Sequence, residues 1–290
     1  MWTRLYIFVF LTVILFSCNK DLTKTERQEA RDAKRNQRYN WVLKNGTIDR
    51  KYEMALEKYD AGDYYRCTSL LEEVISFKSG SKEFEDALFL FADAYYQQEQ
   101  YYMSNHYYQR FVYKFPRHEK VEQAEFMAAK SLYMISPKVS LDQTETANAM
   151  VSLENFLTKY PRSEFADEAK GYISELEKKI ESKEFETAKL HLKIRNYKAA
   201  VTSFEVFEAN YPNSVYLEEA LFLKIEAQYE LAKISVETVM EEGRKIYLKK
   251  ERYEAVKEFY ERFLALYPSS EYLEQAEGYY NKAVENLKIK

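Results

Sequence analysis

The chain has 290 residues, of which 31% are charged and 46% hydrophobic, enough apolar material for a substantial core. Only 6 Gly and 5 Pro occur, too few for an all-β chain with many turns or for a disordered one, so helices joined by short connections are expected. The net charge of −4 leaves no broad basic footprint for nucleic acid, and 27 Tyr with 18 Phe supply surfaces that are half apolar and half polar.

In chain order, Arg4 precedes an apolar run from Ile7 to Phe16, ten residues long. A spanning helix needs about 20 residues, so this run has the length of a signal-peptide core. It ends in Leu15-Phe16-Ser17-Cys18 and turns polar at once with Asn19-Lys20-Asp21. That ending resembles the bacterial lipobox, which implies lipidation of Cys18 and, from Asn19, passage to the outer membrane. Residues 1–17 then form a lipoprotein signal peptide, 18–46 a lipidated N-terminus and charged tether, and 47–290 the folded domain. The tether carries a basic cluster of Arg27, Arg31, Lys34, Arg35 and Arg38, read as a solvated spacer.

Beyond the tether the chain repeats. Phe115-Pro116, Tyr160-Pro161, Tyr211-Pro212 and Tyr267-Pro268 mark four copies, and Ser79 stands in the proline slot of a fifth. Eight residues after each marker is Ala: Ala87, Ala124, Ala169, Ala220 and Ala276. Five before each proline is Phe: Phe111, Phe156, Phe207 and Phe263, with Val74 in the degenerate copy. Proline after an aromatic residue ends a helix, and the serines at 163, 214 and 270 suit the N-cap of the next. Large residues at helical spacing form one apolar stripe that a helix pair cannot bury alone, so the pairs must stack. The spacing lengthens along the chain through Ser136 to Asp142, an extended helix from Glu175 to Lys193, and Ile234 to Glu242. A helix over about Glu271 to Leu287 closes the stack.

Gly62-Asp63-Tyr64 with Ala55, and Ala92 with Tyr101 and Pro116, resemble the tetratricopeptide consensus. The resemblance implies an all-α superhelical solenoid of about five helix-turn-helix repeats plus a C-terminal capping helix. In the first helices of three repeats, Tyr52, Phe89 and Phe126 share one slot, and Tyr59, Tyr96 and Tyr133 lie two turns further on the same face. By the tetratricopeptide resemblance this is the inner lining. With Asp93 and Lys130 between them, these residues are expected to form a peptide-binding groove of aromatic shelves. The pattern breaks at Gly171 and Lys178 and returns at Phe222 and Tyr229.

No catalytic motif occurs: His106, His118 and His191 are scattered, and no Gly-rich phosphate loop or Cys-x-x-Cys appears. Acidic residues read as solvated helix faces. Cys67 fills a small-residue slot shared with Ser104, Ala149 and Ala200, which suits a buried packing residue. No enzyme, cofactor or metal is expected.

The lipobox, the tether and five lengthening repeats with aromatic-Pro-x-Ser steps resemble the BamD-like lipoproteins of outer-membrane β-barrel assembly. That resemblance implies a non-catalytic scaffold facing the periplasm. Its implied partners are a BamA-like barrel protein with periplasmic domains, unfolded outer-membrane β-barrel proteins and other assembly lipoproteins. Helical-repeat lipoproteins of pilus assembly, cell-division coordination or glycan capture are the alternatives.

Overall fold

The computed structural model describes residues 24–77, 82–237, 239–241, 244–246 and 248–288. The expected signal segment, Cys18 and Ser79 lie outside the described residues. The fold is all-α and built of tetratricopeptide-type helix pairs, interrupted by one short hairpin. Two compact units meet at Ser131/Leu132 in sequence.

The first unit holds α1 (Lys24–Asn45), α2 (Ile48–Asp60), α3 (Tyr64–Phe77), α4 (Lys82–Gln97), α5 (Tyr101–Lys114) and most of α6 (Val121–Ile135). The segment read as a spacer is thus a continuous 22-residue helix, as its Ala, Arg, Glu and Gln content favours. Its last turns pack down through buried Tyr39 and Val42. The Thr47 hydroxyl accepts the Arg50 N–H at 3.3 Å and starts α2, the first helix of the first repeat.

Helix α2 ends at Asp60, and two residues on Gly62, with φ 73°, lets the chain reverse. The Asp63 N–H returns to the Lys58 carbonyl at 2.8 Å and the Gly62 N–H to Tyr59 at 2.9 Å. Glu99 and Arg195 make the same turn at φ 58° and 62°, with matching bonds from Gln100 to Tyr95 and from Asn196 to His191, both 2.9 Å. The turn geometry is therefore a property of the repeat and survives without glycine.

The second unit holds the end of α6, then α7 (Thr144–Lys159), α8 (Ala166–Lys193), α9 (Tyr197–Asn210), α10 (Leu217–Lys233), α11 (Leu248–Leu266) and α12 (Leu273–Lys288). Each of α7 to α11 packs on its successor, and α12 also packs on α10. Helix α10 stops at Lys233, and β1 (Val239–Glu241) pairs antiparallel with β2 (Arg244–Ile246), Val239 opposite Ile246.

The repeat slots fill the core as their chemistry requires. Phe111, Phe156, Phe207 and Phe263 are all buried, as are the five alanines of the +8 slot and Cys67. The aromatic-proline step is stereotyped: Phe115, Tyr160 and Tyr211 share φ −127° and ψ near 60°, conformations outside the helical region that proline disfavours in its predecessor. The serines behave differently from expectation. Ser163, Ser214 and Ser270 accept the N–H two residues on, at 3.1, 2.9 and 3.1 Å, and the helix proper begins after that turn. They fasten the turn rather than cap the helix. In the second repeat, His118 Nδ1 takes the same N–H role from Lys120 at 3.1 Å.

Candidate functional site

Within the first unit, α2, α4 and α6 are the first helices of successive repeats, and their shared slots carry the aromatic ladder. Tyr59 donates its hydroxyl to Asp93 of the next first helix, and Tyr108 of α5 donates to the other Asp93 oxygen at 2.9 Å. One carboxylate thus collects two phenols from different helices. Burial first, then the hydrogen bond and charge of Asp93, push the Tyr59 phenol upward; burial and the Asp93 charge raise Tyr108 well above its ordinary 10.0. Both are fixed donors across neutral pH.

Phe89 lies edge-on to Tyr108 and Phe111, 5.4 Å from each centroid, and Lys120 Nζ sits 5.0 Å over its ring. Tyr96 meets Tyr101 edge-on at 5.3 Å and holds Lys130 Nζ 5.9 Å from its centroid. Lys130 also stands 5.7 Å from the Phe126 ring. Tyr52 is half-buried against the same core, its phenol raised by burial and then by Asp86 and Glu83. Phe126 departs from the expected groove: only 1% of it is exposed, so it is a core residue.

Tyr133 belongs to the second unit. Its hydroxyl donates to Glu175, its ring stacks on Tyr172 at 4.1 Å, and the Glu175 hydrogen bond leads its phenol up to about 12. Gly171 and Lys178 leave the fourth slot without rings. In the fifth, Phe222 stacks on Tyr272, just before α12, at 4.8 Å, and Tyr229 lies 5.3 Å from Tyr279 of α12.

A single rule connects these contacts. The tyrosine of one first helix reaches the polar residue three positions before its counterpart in the next: Tyr59 to Asp93, Tyr96 to Lys130, Tyr133 to Glu175. The ladder therefore ties neighbouring first helices together and leaves ring edges half-buried rather than standing as open shelves. Sequence reasoning missed Tyr108, Lys120, Tyr172 and Glu175. The Tyr-to-polar spacing was its only trace, because the partners sit on neighbouring helices.

Charged residues are not confined to solvated faces. In the second unit Lys224, 3% exposed, places Nζ 2.6 Å from Glu208 Oε2 and 4.2 Å from the Phe259 centroid. Arg262 pairs with the other Glu208 oxygen at 2.6 Å. The other proline-marked repeats carry Val112 with Ala128, Leu157 with Ile173, and Leu264 with Tyr280 at these two slots. An ion pair therefore stands here at two slots that are mainly apolar in the other repeats, and removing one partner would leave a buried charge uncompensated.

A cleft of about 650 Å³ lies away from the ladder, between α1 and the first repeat, lined among others by Arg35, Tyr39, Lys58 and Arg66. Its charges pair internally: Arg38 with Glu57 at 3.1 Å, and Lys58 and Arg66 with Asp63 at 3.1 and 3.2 Å. Among the described residues no group of three His, Cys, Asp or Glu is placed to hold a metal ion, and no helix is long and apolar enough to cross a membrane.

Paired helices, a turn with positive φ and stereotyped aromatic-proline steps define a helical-repeat protein of the tetratricopeptide type. The family described as YfiO, outer membrane lipoprotein, matches residues 45–243, and the chain belongs to that family. An outer membrane protein assembly factor BamD from Rickettsia prowazekii (strain Madrid E) is 28% identical over 117 residues, 40% of this chain and 47% of that protein. The BamD of Caulobacter vibrioides (strain ATCC 19089 / CIP 103742 / CB 15) is 22% identical over 186 residues, 64% of this chain and 61% of its own length. The chain thus spans roughly half to three-fifths of these relatives. A solved Podosopora anserina kinesin light chain of nearly identical TPR-like repeats aligns at 15% identity and a TM-score of 0.31, over 76% of this chain and 94% of that one. At that score it adds nothing to the helix pairs already described.

Proposed function

We propose that this chain is a non-catalytic scaffold of outer-membrane protein assembly, anchored by acylated Cys18 to the outer membrane and facing the periplasm. The family match over residues 45–243 carries this reading, and the two curated relatives are assembly factors by name. Signal cleavage before Cys18, the 18–46 segment as a link to the membrane, and a 47–290 binding domain complete it. The partners would be a barrel protein with periplasmic domains, its unfolded β-barrel clients and other assembly lipoproteins.

The client surface on this reading is the half-buried ladder of the first unit: Tyr52, Tyr59, Phe89, Asp93, Tyr96 and Lys130. Ring edges offer contact area at small entropic cost, and the Asp93 and Lys130 charges supply register. Affinity capture from solubilised membranes should recover a large outer-membrane barrel protein with periplasmic domains. Recovery of pilus or division components in its place defeats the assembly reading. Incorporation of labelled palmitate should disappear in Cys18→Ala, and labelling that persists would remove the anchor.

A further inference from the structure

Helix α1 segregates its charges. Arg27, Arg31, Lys34, Arg35 and Arg38 recur at helical spacing and fall within a sector of about 100°, whereas Glu26 and Glu29 lie across the axis and Asp32 borders the stripe. From Lys24 to Arg38 every residue except Asp32 is exposed, and only the last turns touch the first repeat. Trp41 continues the helix beside the basic sector and is 61% exposed. Tryptophan, amphipathic and large, favours the boundary between water and lipid. Arg38 also pairs with Glu57, and Arg35 pairs loosely with Asp32 at 3.7 Å. Arg35 and Arg38 line the cleft against the first repeat, whereas Arg27, Arg31 and Lys34 stand exposed on the turns before it.

We propose that the basic stripe of α1 lies on the anionic headgroups of the membrane to which the chain is tethered, with Trp41 at the lipid boundary. The charge match carries the choice of partner: several cations on one face, with Glu26 and Glu29 turned away, fit an extended negative surface. The tether supplies proximity. Five residues lie between Cys18 and Lys24, a reach of at most about 20 Å over the six steps, so the proposal rests on the anchored reading above. A helix with this little tertiary packing is marginal in water and gains order from a surface along one side. The stripe would hold α1 along the membrane surface.

The test uses the full chain on vesicles of phosphatidylcholine alone and of phosphatidylcholine with about one third phosphatidylglycerol. Hydrogen exchange is followed over residues 24–38. Exchange should be about tenfold slower on the anionic vesicles, and about 0.5 M NaCl should restore the neutral-vesicle rate. The triple variant Arg27→Gln, Arg31→Gln, Lys34→Gln should lose the slowing while α2 to α5 exchange as before, which shows that its body is folded. Equal rates on the two vesicles overturn the proposal. So does slowing that appears only when an acidic protein is added, since the stripe would then serve a protein partner. Flotation on the neutral vesicles reads the anchor separately. A chain that fails to float there defeats the anchored reading, whereas slowed exchange on anionic vesicles would still uphold the stripe.

Discussion

Gly62, Glu99 and Arg195 stand at one step of three repeats and share a left-handed backbone, yet only the first is glycine. A Cβ at Gly62 would meet nothing within 4 Å, so the cost of adding one is a backbone cost alone. Gly62→Ala should therefore lower stability by about 1 kcal/mol. Glu99→Gly and Arg195→Gly should each raise it by roughly 0.5 kcal/mol, the relief of strain being partly offset by glycine's larger unfolded entropy. Chemical denaturation of the three variants checks this, and a loss in both glycine variants would show that Glu99 and Arg195 hold their turns by side-chain contacts. Cys67 shows the same dependence on place. It is buried, its thiol is pushed up to about 12 by burial and then by Asp63 and Asp93, and the folded protein should resist thiol reagents.

Between helices, Asp93 joins three helices of the first unit. It accepts from Tyr59 on α2 and Tyr108 on α5, so Asp93→Asn leaves two phenols sharing one neutral acceptor and should cost about 2 kcal/mol. The pH dependence has a definite sign. An unfolded phenol titrates near 10.0 and the two folded ones higher, so the unfolded chain loses protons first as pH rises. Their stabilisation is complete below pH 10 and drains away as pH passes through the folded values. Asp93→Asn removes one cause of the rise, so phenolate absorbance should climb at lower pH in the variant; coincident titration curves would mean that burial alone sets those phenols.

What the sequence revealed about these elements follows from the range of the forces involved. A proline after Tyr160 or Phe115 stops a helix through its own ring, and Phe111 or Ala124 must be buried whatever surrounds them, so the pairs and their core were legible. The groove was only partly so, because Phe126 and Phe89 occupy one slot and differ in burial according to their neighbours on other helices. Residues 239–246 carry no strong turn or alternation signal, and a hairpin there was not foreseen.

At the scale of the molecule, stability is divided along the chain. One core cluster draws on residues between Tyr39 and Ala128, and two others on residues between Phe185 and Ala283, with no buried residue shared between the first and the others. In a stack of repeats each pair leans mainly on its neighbours, so damage should stay near its origin. Phe111→Ala and Phe207→Ala remove rings of equal burial from the same slot in different units, and each should cost about 3–5 kcal/mol locally. Hydrogen exchange distinguishes local loss from global loss. With Phe111→Ala the amides of α4 and α5 should lose protection while α9 to α11 keep theirs, and Phe207→Ala should reverse the pattern. Uniform loss from either substitution would mean that the array folds as one cooperative body, in which a change at the first unit alters the second through stability alone.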